Sequence, residues 1–262
     1  MNAEVLLDPA GHPIIGHRGA SGLAPENTVA SFDLALEQGA EAVEFDIRLT
    51  ADGEAVVFHD PTLDRTTDQT GPVASRPLAA LAGVDAGARF TPDGTAFPFR
   101  GRGVRIPTLR EVLARYPSLP MLIELKVAEA APVVRQELVR AGAERRVVVA
   151  SFLSGVVHEF MAPPFQAGAS RREIASLAAR AMLGLPAADD GVLLYAVPAR
   201  YKGWLPVPTR RFTGAARRAG KPVHVWTVND AAEAGALWDR GAAGMISNFP
   251  GRLLEARNRR FR

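Results

Sequence analysis

Cysteine is absent from this chain of 262 residues. Its absence excludes disulfides, zinc–thiolate sites and iron–sulfur clusters, and it favours a reducing compartment. The chain also lacks an apolar run long enough to span a membrane, so we expect no stable membrane insertion. The opening MNAEVLLDPAGHP carries acidic residues and no long apolar core, which is not the pattern of a secretory signal. These absences predict a cytoplasmic protein.

Aromatic residues make up only 7% of the chain, and its formal net charge is only +3. The chain has a cluster of arginines in its tail, from Arg252 to Arg262, but as a whole it lacks the aromatic-plus-basic interleaving typical of nucleic-acid readers. We therefore expect no nucleic-acid partner. The same tail is compatible with a membrane-surface adaptor or with the solvated end of a helix.

Short apolar runs alternate with helical patterns along most of the chain. The candidate parallel strands lie at 14–17, 43–47, 121–126, 147–150, 165–168, 191–197, 222–228 and 244–247. Helices are predicted between them at about 28–38, 108–116, 132–141, 153–161, 171–182, 209–219 and 231–240. This alternation in one mid-sized chain predicts an α/β fold of the (β/α)₈ barrel type.

Residues 61–105 interrupt the alternation. They hold glycines, prolines, scattered charges and only short apolar pieces. We interpret them as a small inserted subdomain after the second strand, covering one end of the fold like a lid.

The segment from Val43 to Asp60 predicts a β-hairpin that turns at Asp52-Gly53. With these two residues in the turn, Asp46 faces His59 across the pair. Because side chains alternate along a strand, Glu44 shares the face of Asp46 and His59. The cluster is either a salt-bridged strand face or a site for a hard cation such as Mg²⁺ or Ca²⁺.

Polar side chains follow several strands at their carboxyl ends, which is where a (β/α)₈ barrel places its function. These residues are His17, Arg18, Glu44, Asp46, Glu124, Lys126, Ser151, Trp226, Asn229 and Asn248. Glu124 could join Glu44 and Asp46 in a three-carboxylate site, and a divalent cation would relieve their repulsion. The alternative for Glu124 is a structural ion pair with Lys126.

Two cations and two histidines accompany the predicted carboxylates. Arg18 and Lys126 suit a phosphate, since a guanidinium can bind two oxygens as a fork. His17 and His59 then suit proton transfer, because imidazole works near neutral pH. One would take a proton from an attacking hydroxyl, and the other would give one to the leaving alkoxide.

The chain resembles the glycerophosphodiester phosphodiesterase family in five segments that follow the family's order. They are GHRGASGLAPENTVASF at 16–32, VEFDIRLTADGEAVVFHDPTLDRTT at 43–67, RIPTLREVL at 105–113, LIELK at 122–126 and VHVWTVN at 223–229. The resemblance implies a TIM barrel with an insertion, so that residues 1–262 form a single catalytic domain. It also implies hydrolysis of a small-molecule glycerophosphodiester, with one divalent cation, to sn-glycerol 3-phosphate and an alcohol.

The resemblance also implies roles for individual residues. Metal ligands are implied at Glu44, Asp46 and Glu124, acid/base groups at His17 and His59, and substrate contacts at Arg18, Lys126 and Trp226. Trp226 would pack against the glycerol or the leaving group. One departure is Asn248, which stands where the family usually has an aspartate, so its part in orienting Arg18 or the metal is open.

Other activities fit the same residues. Among enzymes they are a lysophospholipase D-like activity on lysolipids and a phosphoinositide-type phospholipase C. A non-catalytic binder of phosphorylated polyols is the alternative from another class. The choice of Mg²⁺ or Ca²⁺, the nucleophile, the leaving alcohol and the oligomeric state are not fixed by the sequence.

Overall fold

Strands and helices alternate along a computed structural model that describes residues 3–153, 155–201 and 205–261. The strands are β1 (Ile14–His17), β2 (Ala42–Leu49), β3 (Ala55–Val57), β4 (Met121–Leu125), β5 (Val147–Ala150), β6 (Gln166–Ala167), β7 (Tyr195–Pro198), β8 (Arg200–Tyr201), β9 (Leu205–Pro206), β10 (Val223–Trp226) and β11 (Met245–Ser247). The helices are α1 (Glu4–Leu7), α2 (Val29–Glu37), α3 (Leu78–Leu81), α4 (Leu109–Arg115), α5 (Ala130–Arg140), α6 (Arg171–Met182), α7 (Arg210–Arg218), α8 (Ala231–Asp239) and α9 (Pro250–Arg260). Short 3₁₀ turns lie at Val73–Ser75 and Val156–Phe160.

Parallel strands form a closed ring. Their order is β6-β5-β4-β2-β1-β11-β10-β7, with β3 paired to β2 outside this path. A bridge between Gly168 and Leu194 joins the two ends of the path. There the Ala169 amide donates to the Leu194 carbonyl over 2.9 Å. The structure is therefore an α/β fold of the (β/α)₈ type, as the sequence predicts.

Strand β2 shows how the barrel separates packing from chemistry. Val43, Phe45 and Ile47 are fully buried in the cluster that joins the sheet to its helices. Glu44 and Asp46 alternate with them and therefore point to the inside of the barrel. The apolar face fixes the strand in the fold, and the other face is left free for polar groups.

The interior of the barrel is filled by a separate apolar cluster at the end away from those carboxylates. It contains Ala3, Leu6, Ile15, Ala42, Leu122, Val148, Ala150, Leu194 and Ile246. Leu6 belongs to α1, so this helix packs over the amino ends of the strands. The carboxyl ends remain open for a pocket.

The hairpin that the sequence predicts is present, but the predicted register is wrong by one residue. The observed pairs are Ile47 with Val57, Arg48 with Val56 and Leu49 with Ala55. Three residues, 51–53, therefore form the turn instead of two, and Gly53 takes the left-handed conformation (φ 80°) that closes such a loop. The slip places Phe58 opposite Asp46, and the Phe58 amide donates to the Asp46 carbonyl.

The predicted α-helix at 153–161 is also wrong. The structure has only the 3₁₀ turn Val156–Phe160 there, and position 154 lies outside the described residues. Gly155 has a φ of 98°, which no α-helix accommodates, and two β-branched valines follow it. The remaining predicted helices coincide with α2 and α4–α8 to within about two residues at each end.

The segment between β3 and α4 packs around its own apolar cluster. Val56 and Phe58 join Leu63, Val73, Leu81, Val84, Ala86 and Ile106 in it. These residues lie on the outside of the β2–β3 hairpin, apart from the cluster that joins the barrel to its helices. The interpretation of 61–105 as a separate subdomain stays a prediction.

The basic tail forms α9, which is docked on the barrel. Leu253 is fully buried, and the Arg257 guanidinium lies 2.5 Å from the Glu41 carboxylate. Arg260 pairs with Asp239. Across the described part of the chain, every helix is too short or too polar to cross a bilayer.

Candidate active site

A pocket opens at the carboxyl ends of the barrel strands. It is lined by His17, Arg18, Glu44, Asp46, His59, Leu122, Glu124, Lys126, Ala150, Ser151, Phe152, Ala169, Ala196, Trp226 and Ile246. The structure thus brings together all eight of the site residues that the sequence predicts. Asn229 does not line the pocket; its side-chain oxygen accepts hydrogen bonds from the Ser247 hydroxyl and the Asn248 amide.

Three carboxylates meet on one side of this pocket. Asp46 and Glu124 are partners across the β2–β4 pair, and Glu44 lies two residues before Asp46. One oxygen from each lies within 4.8 Å of the others. Burial, and then the charge of Asp46, raise the pKa of Glu44 well above its usual value. Burial raises the pKa of Glu124 as well.

Two cations balance part of this negative charge. The Lys126 ammonium lies 2.9 Å from an Asp46 oxygen and 2.8 Å from a Glu124 oxygen. The Arg18 Nε lies 3.2 Å from the other Asp46 oxygen. Burial alone would raise the pKa of Asp46, but Lys126 and Arg18 outweigh burial and lower it.

Arg18 is held in an uncommon backbone conformation, with a φ of 53°. Its Nε is buried and, although close to Asp46, has no aligned hydrogen-bond acceptor among the described residues. Its NH1 donates to Glu26 over 2.8 Å. A strained backbone around an unsatisfied buried donor is typical of a ligand site rather than of a packed core.

His17 is buried at the end of β1 and is held by an amide. Its Nδ1 lies 2.6 Å from Oδ1 of Asn248, and the Ser21 hydroxyl donates to the same oxygen. Because that oxygen can only accept, Nδ1 carries the hydrogen and Nε2 presents a lone pair. Burial, and next the charge of Arg18, lower the pKa of His17 to about 4. The ring is therefore neutral at pH 7.

Asn248 orients His17, which answers the question raised by the departure from the family pattern. No hydrogen bond or ion pair joins it to Arg18 or to the three carboxylates in the part of the chain that the structure describes. The amide fixes the histidine tautomer without adding a negative charge beside the ring.

His59 has a different partner. It lies two residues beyond the end of β3, and its Nδ1 is 2.6 Å from a carboxylate oxygen of Asp60. Its carbonyl accepts a hydrogen bond from the Arg48 Nε over 2.8 Å. The two histidines therefore differ in the charge of the group that holds them.

Sequence reasoning missed several residues that hold the site. Asn27 is buried, donates to Asp46 through Nδ2 over 2.9 Å, and accepts from the Asp46 amide. Thr28 caps α2, which frees Asn27 for this contact. The φ of 59° at Asn27 suits a residue that tolerates the left-handed region. Glu26, Asp60 and Arg65 were also missed.

The opposite side of the pocket is apolar. Phe152 and Trp226 meet edge to face with their ring centroids 5.7 Å apart. Small side chains, Ala169 and Ala196, leave room beside them. The Ser151 hydroxyl donates to the Leu125 carbonyl and so supports the loop after β5. The pocket therefore has one charged wall and one apolar wall.

The charged wall suits a divalent cation and a phosphate. Carboxylate oxygens are the ligands that Mg²⁺ and Ca²⁺ prefer. Such an ion would relieve the repulsion that raises the pKa of Glu44. Two cations and two histidines beside three carboxylates can bind and cleave a phosphodiester.

Sequence comparisons with known proteins find similarity to one family of enzymes. The model of the glycerophosphoryl diester phosphodiesterase family matches residues 17–252. A glycerophosphodiester phosphodiesterase of Bacillus subtilis (strain 168) is 31% identical over 259 residues, covering 94% of this chain and 86% of the relative.

Solved structures are similar as well. A phosphodiesterase of Oleispira antarctica in complex with the product sn-glycerol-3-phosphate has a TM-score of 0.77 and 28% identity. That likeness covers 98% of this chain and 100% of the other. A glycerophosphodiester phosphodiesterase of Agrobacterium tumefaciens has a TM-score of 0.72 and 28% identity, covering 93% of this chain and 99% of the other.

Proposed function

This chain belongs to the glycerophosphoryl diester phosphodiesterase family, a family of phosphoric diester hydrolases, and on that premise we propose its substrate and mechanism. It hydrolyses glycerophosphodiesters to sn-glycerol 3-phosphate and an alcohol. The observation that carries the proposal is one pocket with three carboxylates, two cations and two differently held histidines.

Glu44, Asp46 and Glu124 would hold the divalent cation, Mg²⁺ or Ca²⁺. When bound, this ion supplies Lewis-acid stabilisation of negative charge on the phosphodiester. The support is the donor set, which is all oxygen, and the crowding of three buried or half-buried carboxylates within 4.8 Å of one another.

Arg18 and Lys126 bind the phosphate. Arg18 offers an unsatisfied buried Nε, and Lys126 offers an ammonium already inside the pocket. Both side chains are less than one-fifth exposed, so their charges act in a medium that screens poorly. Trp226 packs against the apolar part of the substrate.

His17 is the general base and His59 the general acid. The lone pair on Nε2 of His17 accepts the proton of the attacking hydroxyl, since Asn248 keeps Nδ1 protonated. His59, paired with the Asp60 carboxylate, holds the proton that the leaving alkoxide receives. The attacking hydroxyl is the glycerol 2-hydroxyl, giving a cyclic phosphate, or water. Product analysis in ¹⁸O-labelled water separates the two routes.

The test is release of glycerol 3-phosphate from glycerophosphocholine and glycerophosphoethanolamine. We expect activity to be lost with chelator and restored by Mg²⁺ or Ca²⁺. His17→Ala and His59→Ala should each lower kcat by about 10²-fold or more. Rates near that of the unmodified enzyme in both variants would contradict the assignment of the two histidines.

The apolar wall favours lysolipids as a second substrate class. Phe152 and Trp226 line the pocket, and the neighbouring Leu153 is 43% exposed. Release of a lysophospholipid's head-group alcohol, measured beside the assay above, distinguishes the two substrate classes. Turnover of glycerophosphocholine alone would exclude the lysolipid activity.

A further inference from the structure

A chain of ion pairs runs from one histidine of the pocket to the phosphate-binding arginine. His59 pairs with Asp60 at 2.6 Å, and the Arg65 Nε donates to the other Asp60 oxygen at 2.5 Å. The two terminal nitrogens of Arg65 donate to the two oxygens of Glu26, at 2.8 and 2.7 Å. Glu26 in turn accepts from Arg18 at 2.8 Å.

Arg65 is the central member of this chain. Its guanidinium donates hydrogen bonds from all three nitrogens: the two terminal nitrogens bind Glu26 as a fork, and Nε binds Asp60. A lysine has no such planar fork and cannot reproduce this geometry. Arg65 belongs to the segment after β3, whereas Glu26 belongs to the loop between β1 and α2. The guanidinium therefore joins two neighbouring loops beside the pocket.

The charges of Asp60, Arg65, Glu26 and Arg18 alternate in sign, so each of these side chains depends on its neighbours. Burial would raise the pKa of Glu26, but its bond to Arg65 and the charge of Arg18 lower it. Without Arg65, the ion pairs that remain here among the described residues are Arg18 with Glu26 and His59 with Asp60. Both carboxylates are then free to turn toward solvent.

We propose that Arg65 is a positioning residue that holds His59, through Asp60, and Arg18, through Glu26, in their working orientations. The inference rests on the proposed function, because it assigns the two ends of the chain to proton donation and phosphate binding. Arg65 itself does not line the pocket. It acts on substrate only through the two carboxylates.

If Arg65 only stabilised the fold, its substitution would lower stability without a specific effect on catalysis. Its side chain is 50% exposed, and exposed ion pairs contribute little to the stability of folded proteins. Arg115 is a matched control, since it is 52% exposed and pairs with Asp33 at 2.6 Å away from the pocket. If Arg65 positions catalytic groups, Arg65→Ala and Arg115→Ala should change the unfolding midpoint by similar amounts. Only Arg65→Ala should then lower kcat/KM.

The experiment compares two substrates with different leaving groups. Glycerophosphocholine releases a basic alkoxide that needs a proton, whereas bis(p-nitrophenyl) phosphate releases a weakly basic phenolate that does not. Arg65→Ala should lower kcat/KM for glycerophosphocholine by about tenfold to 10²-fold, the cost of misplaced catalytic groups. The loss of kcat/KM on bis(p-nitrophenyl) phosphate should be several-fold smaller, because this substrate depends on phosphate binding by Arg18 but needs no proton from His59.

Three further variants separate the arms of the chain. Asp60→Asn should affect glycerophosphocholine selectively, Glu26→Gln should affect both substrates alike, and Arg65→Lys should recover part of the loss. In each case the unmodified enzyme is the reference.

Two results would overturn the proposal: activity of Arg65→Ala within twofold of the unmodified enzyme, or equal losses on both substrates. An unmodified enzyme that turns over neither glycerophosphocholine nor lysolipids would instead overturn the proposed function, and this inference with it.

Discussion

Asn248 gives His17 a neutral partner where a carboxylate would add charge. The Asn248→Asp variant should place a negative oxygen beside Nδ1 and stabilise the imidazolium. The pKa of His17, now lowered to about 4, would rise. Since a base works only when deprotonated, the acidic limb of the kcat/KM profile should move to higher pH by about 1–3 units.

The measurement is kcat/KM between pH 4 and pH 9 for the unmodified enzyme, Asn248→Asp and Ser21→Ala. Ser21→Ala removes the other side-chain hydrogen bond to the same oxygen without changing charge. Its acidic limb should stay in place. An unmoved limb in Asn248→Asp would mean that His17 is not the base.

His224 lies at the other end of the barrel and is also neutral at pH 7. Its Nε2 is 2.7 Å from the Leu6 carbonyl, and its Nδ1 accepts from the Gly244 amide at 3.1 Å. Protonation would set a hydrogen on Nδ1 against that amide. Burial lowers the pKa of His224 to about 4.

This histidine should make the protein less stable in mild acid. Between pH 6.5 and 4 the unfolded chain binds a proton that folded His224 does not, so stability falls as pH falls through this window. The loss between pH 7 and pH 5 should be about 2 kcal/mol. Urea unfolding of the unmodified protein and His224→Gln at both pH values measures it; equal pH dependence in the two would contradict the expectation.

Individual residues were predictable where their chemistry required a shared strand face. Glu44 and Asp46 lie two apart on β2, and their convergence with Glu124 follows from parallel pairing alone. Arg65 could not be found in this way, because its partner Glu26 is brought near only by folding of two loops. The role of Asn248 likewise depends on a partner 231 residues away.

The segment between β3 and α4 has a small core whose strength can be measured. Leu81 on α3 is 2% exposed within it. Leu81→Ala should lower the free energy of unfolding by about 2–4 kcal/mol, through lost burial and the cavity left behind. Leu78→Ala, on the same short helix but only partly buried, should cost less.

Hydrogen exchange locates the effect of these two substitutions. Because Val56 belongs both to the hairpin and to this core, we expect faster exchange in residues 61–107 and in β3. Equal destabilisation by Leu78→Ala and Leu81→Ala would show that burial in this core does not govern its stability.

The elements of the barrel were predictable because each carries its own signal. Buried parallel strands such as β4 and β5 are apolar runs, and Thr108 and Ser170 cap helices where the sequence indicates a start. The register of the hairpin could not be predicted, because Asp52-Gly53 fits a two-residue and a three-residue turn equally well. The three-residue turn is fixed by bonds that Asp52 makes to Thr50 and to the distant Leu78 amide.

The whole protein should be more stable with metal than without it. A ligand that binds only the folded chain, present at a hundred times its Kd, stabilises the fold by about 2.7 kcal/mol. For a chain of this length, that raises the unfolding midpoint by roughly 5–10 °C. We expect Mg²⁺ or Ca²⁺ to raise the unfolding midpoint over that in chelator. Glu44→Gln should abolish this rise. Glu54→Gln, which replaces an exposed glutamate side chain, should leave the rise unchanged.

Calorimetry with a titration of each ion provides the measurement without depending on turnover. An equal rise in Glu44→Gln and Glu54→Gln would place the ion elsewhere. No rise with either ion in the unmodified protein would contradict the three-carboxylate site.

Closure of the ring has a consequence for the order in which the protein is made. Strand β1 pairs with β11, so the first strand of the barrel waits for Met245–Ser247 to leave the ribosome. Until then His17 also lacks Asn248, the group that fixes its tautomer. We therefore expect a nascent chain that already carries both histidines and all three carboxylates to be inactive until Asn248 has left the ribosome.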